Sequence, residues 1–116
     1  MRRIKMMDLN KLAEEAYTTA HQRKLNGAKI NPDSVIDMLK HCATEVVEAT
    51  EAYTDLATEA YNDLVDQYRE RFQNEIADIV TCCLIISETM QFDLEEALNR
   101  VAIKNRKRAE KKGDKL

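Results

Sequence analysis

Between residues 35 and 56 apolar side chains recur at alternating steps of four and three: Val35, Leu39, Cys42, Val46, Ala49, Tyr53 and Leu56. That spacing keeps one face of an α-helix apolar over about six turns. A second seam follows at Val65, Tyr68, Phe72, Ile76, Ile79, Cys83, Ile86 and Met90. Two helices of that length dominate a chain of 116 residues, which is enough for one domain. With two glycines and one proline the chain lacks the turn residues of a many-stranded β fold. The expectation is an all-α, four-helix bundle spanning residues 1–116.

The remaining elements follow from the same signals. Leu9, Leu12, Ala13, Ala16, Tyr17 and Ala20 form a stripe, so a first helix is expected from about Asp8 to Leu25, stopped by Asn26 and Gly27. Asn31 and Pro32 read as an N-cap and first helical position for the second helix. "ATEAYN" at 57–62 holds no strong breaker, but Asn62 and Asp63 form a plausible cap for the third. Asp93 with Glu96 reads as a capping box opening a fourth, carrying Leu94, Ala97, Leu98 and Val101. After it, "KNRKRAEKKGDKL" is a charged ending expected to fray, 109–116 above all.

Charge and composition narrow the partners. A net charge of −3 supplies no basic field for nucleic acid. No apolar run approaches the ~20 residues of a membrane span, and Met1, Arg2 and Arg3 open the chain without an apolar leader. Three cysteines, two of them adjacent in an apolar run, read as core residues of a reducing compartment, so the cytoplasm is expected. The core is thin, with no Trp, two Phe and four Tyr, yet Val80 and residues 82–86 are apolar on every side. A helix apolar all round must be covered all round, which predicts a homo-oligomer, dimer or tetramer.

Two acidic pairs sit against the seams. Glu45 and Glu48 lie beside Val46 and Ala49; Glu75 and Asp78 lie beside Ile76 and Ile79. Residues three apart are neighbours on a helix, so each pair points one way from the edge of its apolar stripe. If the chain reverses near 61–62, thirteen residues separate each pair from the turn, arms of roughly 20 Å. All four carboxylates then meet at one height on facing helices. Such a meeting is repulsive unless a hard cation sits among the oxygens. Carboxylates and waters are ligands for Mg²⁺, or Mn²⁺, rather than for zinc. A di-iron bundle needs Glu-x-x-His motifs, and neither His21 nor His41 follows a Glu by three. Against a metal stands the abundance of acidic residues, 21 in all, with Glu48/Glu51, Asp63/Asp66 and Asp93/Glu96 at the same spacing. On that reading the pairs are a solvated face of a non-catalytic interaction module.

With "TEVVEATEAY" and "NEIADIV" in place, the chain resembles the all-α nucleoside triphosphate pyrophosphohydrolases of the MazG-like superfamily. The family carries Glu-Glu-x-x-Glu on one helix and Glu-x-x-Asp on the next, and "MQFDLEEALNRVAIKNRKR" is similar to its basic ending. The resemblance covers about residues 35–108. It implies Mg²⁺ held by Glu45, Glu48, Glu75 and Asp78, and a water attacking between the α- and β-phosphoryl groups. The products it implies are a nucleoside monophosphate and pyrophosphate, with Glu45 or Glu48 accepting the water proton. Thr44 replaces the first Glu of the family doublet. The phosphoribosyl-ATP pyrophosphohydrolases of the same superfamily share similar segments and are the alternative.

Other residues are weaker candidates for the substrate. Lys104, Asn105 and Arg108 lie within one turn or so of each other and could contact triphosphate oxygens, Arg108 in bidentate fashion; basic residues also suit a helix C-terminus for its own sake. Lys40 and His41 precede the first acidic pair, and His41 falls on the Glu45/Glu48 stripe. It could reach a phosphate, or serve as a hydrogen-bonded structural residue. Tyr53, Tyr61 and Tyr68 are expected in the core or a subunit interface. Cys82 and Cys83 have no histidine at useful sequence spacing, so no nucleophilic role is expected of them.

Overall fold

Asn31 opens the main body. Its side chain accepts the Asp33 N–H at 2.9 Å while the Ser34 hydroxyl accepts the Asn31 N–H at 3.2 Å. This reciprocal cap starts a single 3₁₀ turn, Pro32–Ser34, that runs directly into the first long helix. The computed structural model describes residues 8–23, 31–58 and 63–112. These form helices α1 (Leu9–Arg23), α2 (Val35–Thr58), α3 (Val65–Thr89) and α4 (Leu94–Lys112), so the fold is all-α. Leu25, the Asn26 and Gly27 stop, Tyr61, Asn62 and the chain reversal at 61–62 lie outside the described residues. None of the described helices is long and apolar enough to cross a membrane.

The helix starts differ in how well the sequence marks them. Asp8 caps α1, its Oδ1 accepting the N–H groups of Asn10 and Lys11, both at 3.1 Å. At α3 Leu64, not Asn62 or Asp63, holds the N-cap position, and no side chain caps it. At α4 half of the expected box forms. Asp93 Oδ1 accepts the Glu96 N–H at 3.0 Å, but the Glu96 carboxylate turns forward to Arg100 at 2.8 Å. α4 also continues through residues expected to fray, as far as Lys112. Lys, Arg, Ala and Glu are good helix formers, and the basic end complements the helix dipole.

α3 ends in a Schellman turn: the Gln91 N–H donates to Glu88 O at 3.0 Å and the Phe92 N–H to Ser87 O at 2.9 Å. The turn puts Gln91 at φ 57°, where a side chain is strained and glycine is not. Gln91→Gly is therefore expected to stabilise the fold by about 1 kcal/mol, read as a higher midpoint in thermal unfolding.

α2 and α3 form the longest interface and run antiparallel. Asp55 pairs with Arg71 at 2.7 Å, Tyr53 meets Phe72 with ring centroids 5.5 Å apart, and further along the thiol of Cys42 meets that of Cys82. Each step down α2 is matched by a step up α3. α1 packs against α3. Its Ala20, with Met38 and Ile85, forms a core to which Ala16, Tyr17, Val35 and Ile86 add. α4 is tied to α1 at its first turn: Glu95 accepts the Leu9 N–H at 2.8 Å, and Asn10 both donates to Asp93 and accepts from the Leu94 N–H at 3.1 Å. Beyond that, residues 98–111 are all exposed.

The buried face keeps Val35, Cys42, Ala49 and Leu56 of the seam expected on α2, and Val65, Tyr68, Phe72, Ile79 and Ile86 of that on α3, but turns away from other apolar members of both. Leu39, Val46 and Tyr53 point outward at 50%, 48% and 55% exposure, and on α3 Ile76 and Val80 do likewise at 43% and 50%. The faces that meet are Val35, Met38, Cys42, Glu45, Ala49, Ala52 and Leu56 against Val65, Tyr68, Phe72, Glu75, Ile79, Cys82 and Ile86, all buried or half-buried. These also step by three and four, and on α2 lie roughly 40° around the axis from the first seam. The cause is steric: alanines at 49 and 52 let the helices approach closely. In an antiparallel pair the displaced stripes, Leu39/Val46/Tyr53 and Ile76/Val80, fall on the same broad side of the hairpin.

Candidate metal centre

Glu45 and Glu75 occupy inward positions of the α2–α3 interface, where a heptad normally places an apolar residue. Oxygens of Glu45, Glu48 and Glu75 come within 4.8 Å of one another. Glu45 retains 13% of its side-chain exposure, and Glu48 sits on the open rim. Asp78 is exposed and outside that closest group, yet near enough to act on Glu45 electrostatically. So three of the four expected carboxylates converge and the fourth stands beside them.

Glu45 Oε2 and Glu75 Oε2 are buried with no hydrogen-bond partner. Burial raises the proton affinity of Glu45 above the ordinary carboxylate range, and Glu48, Asp78 and Glu75 raise it further, while His41 opposes them. Two orphaned, like-charged oxygens facing each other in a helix interface are costly to keep. A proton or a cation relieves the cost. The donor set, oxygen only, matches a hard divalent ion such as Mg²⁺ or Mn²⁺.

The other expected residues fall as follows. His41 Nε2 lies 3.2 Å from Glu45 Oε1, one turn away on α2, so it braces that carboxylate. Lys40 is exposed. Thr44 turns its hydroxyl to the Lys40 carbonyl at 3.2 Å, away from the acidic group. Lys104, Asn105 and Arg108 are exposed on the outer half of α4, and no ion pair joins them to the carboxylates. Tyr68 faces inward, while Tyr53 is largely exposed beside Phe72.

Sequence spacing concealed one neighbour. Cys82 has a histidine after all, His41 across the helix interface, with which it and Glu45 form a second close group. The pair of inward faces, with Cys42 and Glu45 on one helix and Glu75 and Cys82 on the other, is the pattern that would have found it. The Cys82 thiol is pushed up to about 12, first by burial and then by Cys42, which makes it a poor nucleophile near neutral pH.

Comparison with protein-family models, with curated proteins and with solved structures finds no match.

Proposed function

We propose that the chain is a subunit of a homo-oligomeric, Mg²⁺-dependent nucleotide pyrophosphohydrolase of MazG-like type, hydrolysing a ribo- or deoxyribonucleoside triphosphate to the monophosphate and pyrophosphate. One observation carries the reading: oxygens of Glu45, Glu48 and Glu75 within 4.8 Å, two of those residues holding a buried oxygen with no partner. Glu45, Glu48 and Glu75 hold the ion, with Asp78 completing the set; Mn²⁺ substitutes as another hard cation. When bound, the ion neutralises phosphate charge and eases loss of a proton from water. Glu45 or Glu48 accepts that proton as the water oxygen attacks phosphorus and the α–β bridge breaks. His41 orients Glu45 through their 3.2 Å contact, and Lys40 lies on the adjoining surface.

Lys104, Asn105 and Arg108 are assigned to phosphate oxygens from α4. They share a face with Val101 by steps of three, four and seven. Leu98, Val101 and Ile103 are nearly half exposed, and a second copy of the chain that covers them would fix the basic residues in place. Self-association is supported by size as well. The radius of gyration is 17.1 Å, against about 13 Å for a compact chain of this length. Three unbridged cysteines suit the cytoplasm, where we place the protein.

The test is pyrophosphate release from a nucleotide panel, phosphoribosyl-ATP included, with and without Mg²⁺. Mg²⁺-dependent release by the parent and its loss in Glu75→Ala are expected. A parent silent across the panel, or Glu75→Ala as active as the parent, rejects the assignment.

A further inference from the structure

A softer ligand set adjoins the carboxylates. A ring nitrogen of His41, an oxygen of Glu45 and the Cys82 sulfur lie within 4.8 Å of one another, two from adjacent turns of α2 and one from α3. His41 Nε2 and Glu45 Oε1 are 3.2 Å apart. Two ligands each 2.0–2.1 Å from a tetrahedral ion are about 3.3 Å apart, so this pair is already at ligand spacing. Cys42, next to His41, lies near enough to the Cys82 thiol to act on it electrostatically. Imidazole, carboxylate and thiol thus converge, whereas Glu48 and Glu75 offer oxygen alone. Glu45 stands between the two sets, one oxygen on His41 and the other buried and unpartnered. His41 keeps 35% of its side-chain exposure, which leaves a way in from solvent.

We infer that His41, Glu45 and Cys82, with the fourth position left to solvent, form a site for a thiophilic divalent cation such as Zn²⁺, separate from the oxygen-only centre and joined to it through Glu45. Coordination expels the thiol proton to solvent, as thiolate–metal bonding does generally. Binding of the soft ion stands independently of the pyrophosphohydrolase reading. Its consequence rests on that reading: a Zn²⁺ ion that claims Glu45 takes a ligand from Mg²⁺, so the soft ion opposes the hard one.

The experiment titrates the reduced full-length protein, in excess Mg²⁺, with Co²⁺ as a spectroscopic probe and then with Zn²⁺ as competitor. One equivalent of Co²⁺ per chain should produce a near-ultraviolet thiolate-to-cobalt band that Zn²⁺ abolishes. Cys82→Ser should weaken Zn²⁺ binding by about tenfold or more and remove the band, and Cys42→Ser should keep it. His41→Gln, at a half-exposed position where the fold is not at stake, should keep the band and lose about tenfold in affinity. Glu75→Gln, which disables only the oxygen centre, should keep both. A parent without the band, a band that survives in Cys82→Ser, or unchanged affinity in His41→Gln overturns the site. Pyrophosphate release inhibited by Zn²⁺ in the parent but not in Cys82→Ser supports the antagonism; equal inhibition of both rejects the antagonism alone.

Discussion

Glu45→Gln is expected to make the metal-free protein more stable, by about 1 kcal/mol, and to remove most of its stabilisation by Mg²⁺. The residue is largely buried, one of its oxygens has no partner, and three carboxylates act on it. An amide there ends the repulsion; losing the ionic contact with His41 offsets part of the gain. The pH dependence has a definite sign. The folded state raises the proton affinity of Glu45, so its contribution favours folding below the ordinary carboxylate pKa and fades as pH rises through the raised value. Metal-free parent should therefore lose stability across the mildly acidic range, and the Gln variant should lose less. In the parent, Mg²⁺ at 100 times its dissociation constant should add about 2.7 kcal/mol. Activity of Glu45→Gln should fall about 100-fold or more, as expected for loss of a ligand or proton acceptor. Thermal unfolding across pH, with and without Mg²⁺, reads these effects. Equal stabilisation of parent and variant by Mg²⁺ would remove Glu45 from the centre.

The helices were legible in the sequence because their periodicity is long and unbroken, and so was the facing of Glu48 and Glu75 across the hairpin. What periodicity could not choose was the seam. Each long helix carries two overlapping stripes at steps of three and four, which share residues such as Cys42, Ala49, Phe72 and Ile79; one adds Leu39, Val46, Tyr53 and Ile76, the other Glu45, Ala52, Glu75 and Cys82. Ranking by hydrophobicity selects the first. Close approach of the helices selects the second, because alanine rather than Val or Tyr lets two backbones near each other. Centring the seam on its most apolar members put the carboxylates at the edge of the interface instead of inside it, and it separated His41 from Cys82. The ends of helices were lost for a different reason: α4 persists by propensity and dipole, with little tertiary contact, so an apolar stripe is no guide to its length.

The displaced stripe yields the other large effect. Val80→Asp is expected to dissociate the protein into monomers while leaving each chain folded. Val80 is half exposed within the chain, so a carboxylate there reaches water in the monomer. Leu39, Val46, Tyr53 and Ile76 are 43–55% exposed and share its side of the hairpin, a contiguous apolar area of the kind that marks an interface. The accessible surface, 9540 Å², exceeds by about 3,000 Å² the roughly 6,500 Å² of a compact monomer of 13.4 kDa. An obligate dimer removes roughly 1,000–2,500 Å² from each partner, so a second copy of this chain is an occupant of sufficient size. Aspartate at the centre of such a contact buries an unpaired charge, costing about 3 kcal/mol or more and weakening association by about 100-fold or more. Sedimentation velocity over a concentration series distinguishes the outcomes: a dimer or tetramer for the parent, a monomer for Val80→Asp, with helical circular dichroism unchanged. A parent that sediments as a monomer throughout leaves the apolar side of the hairpin without its partner, and with it the proposed role of α4 in the site.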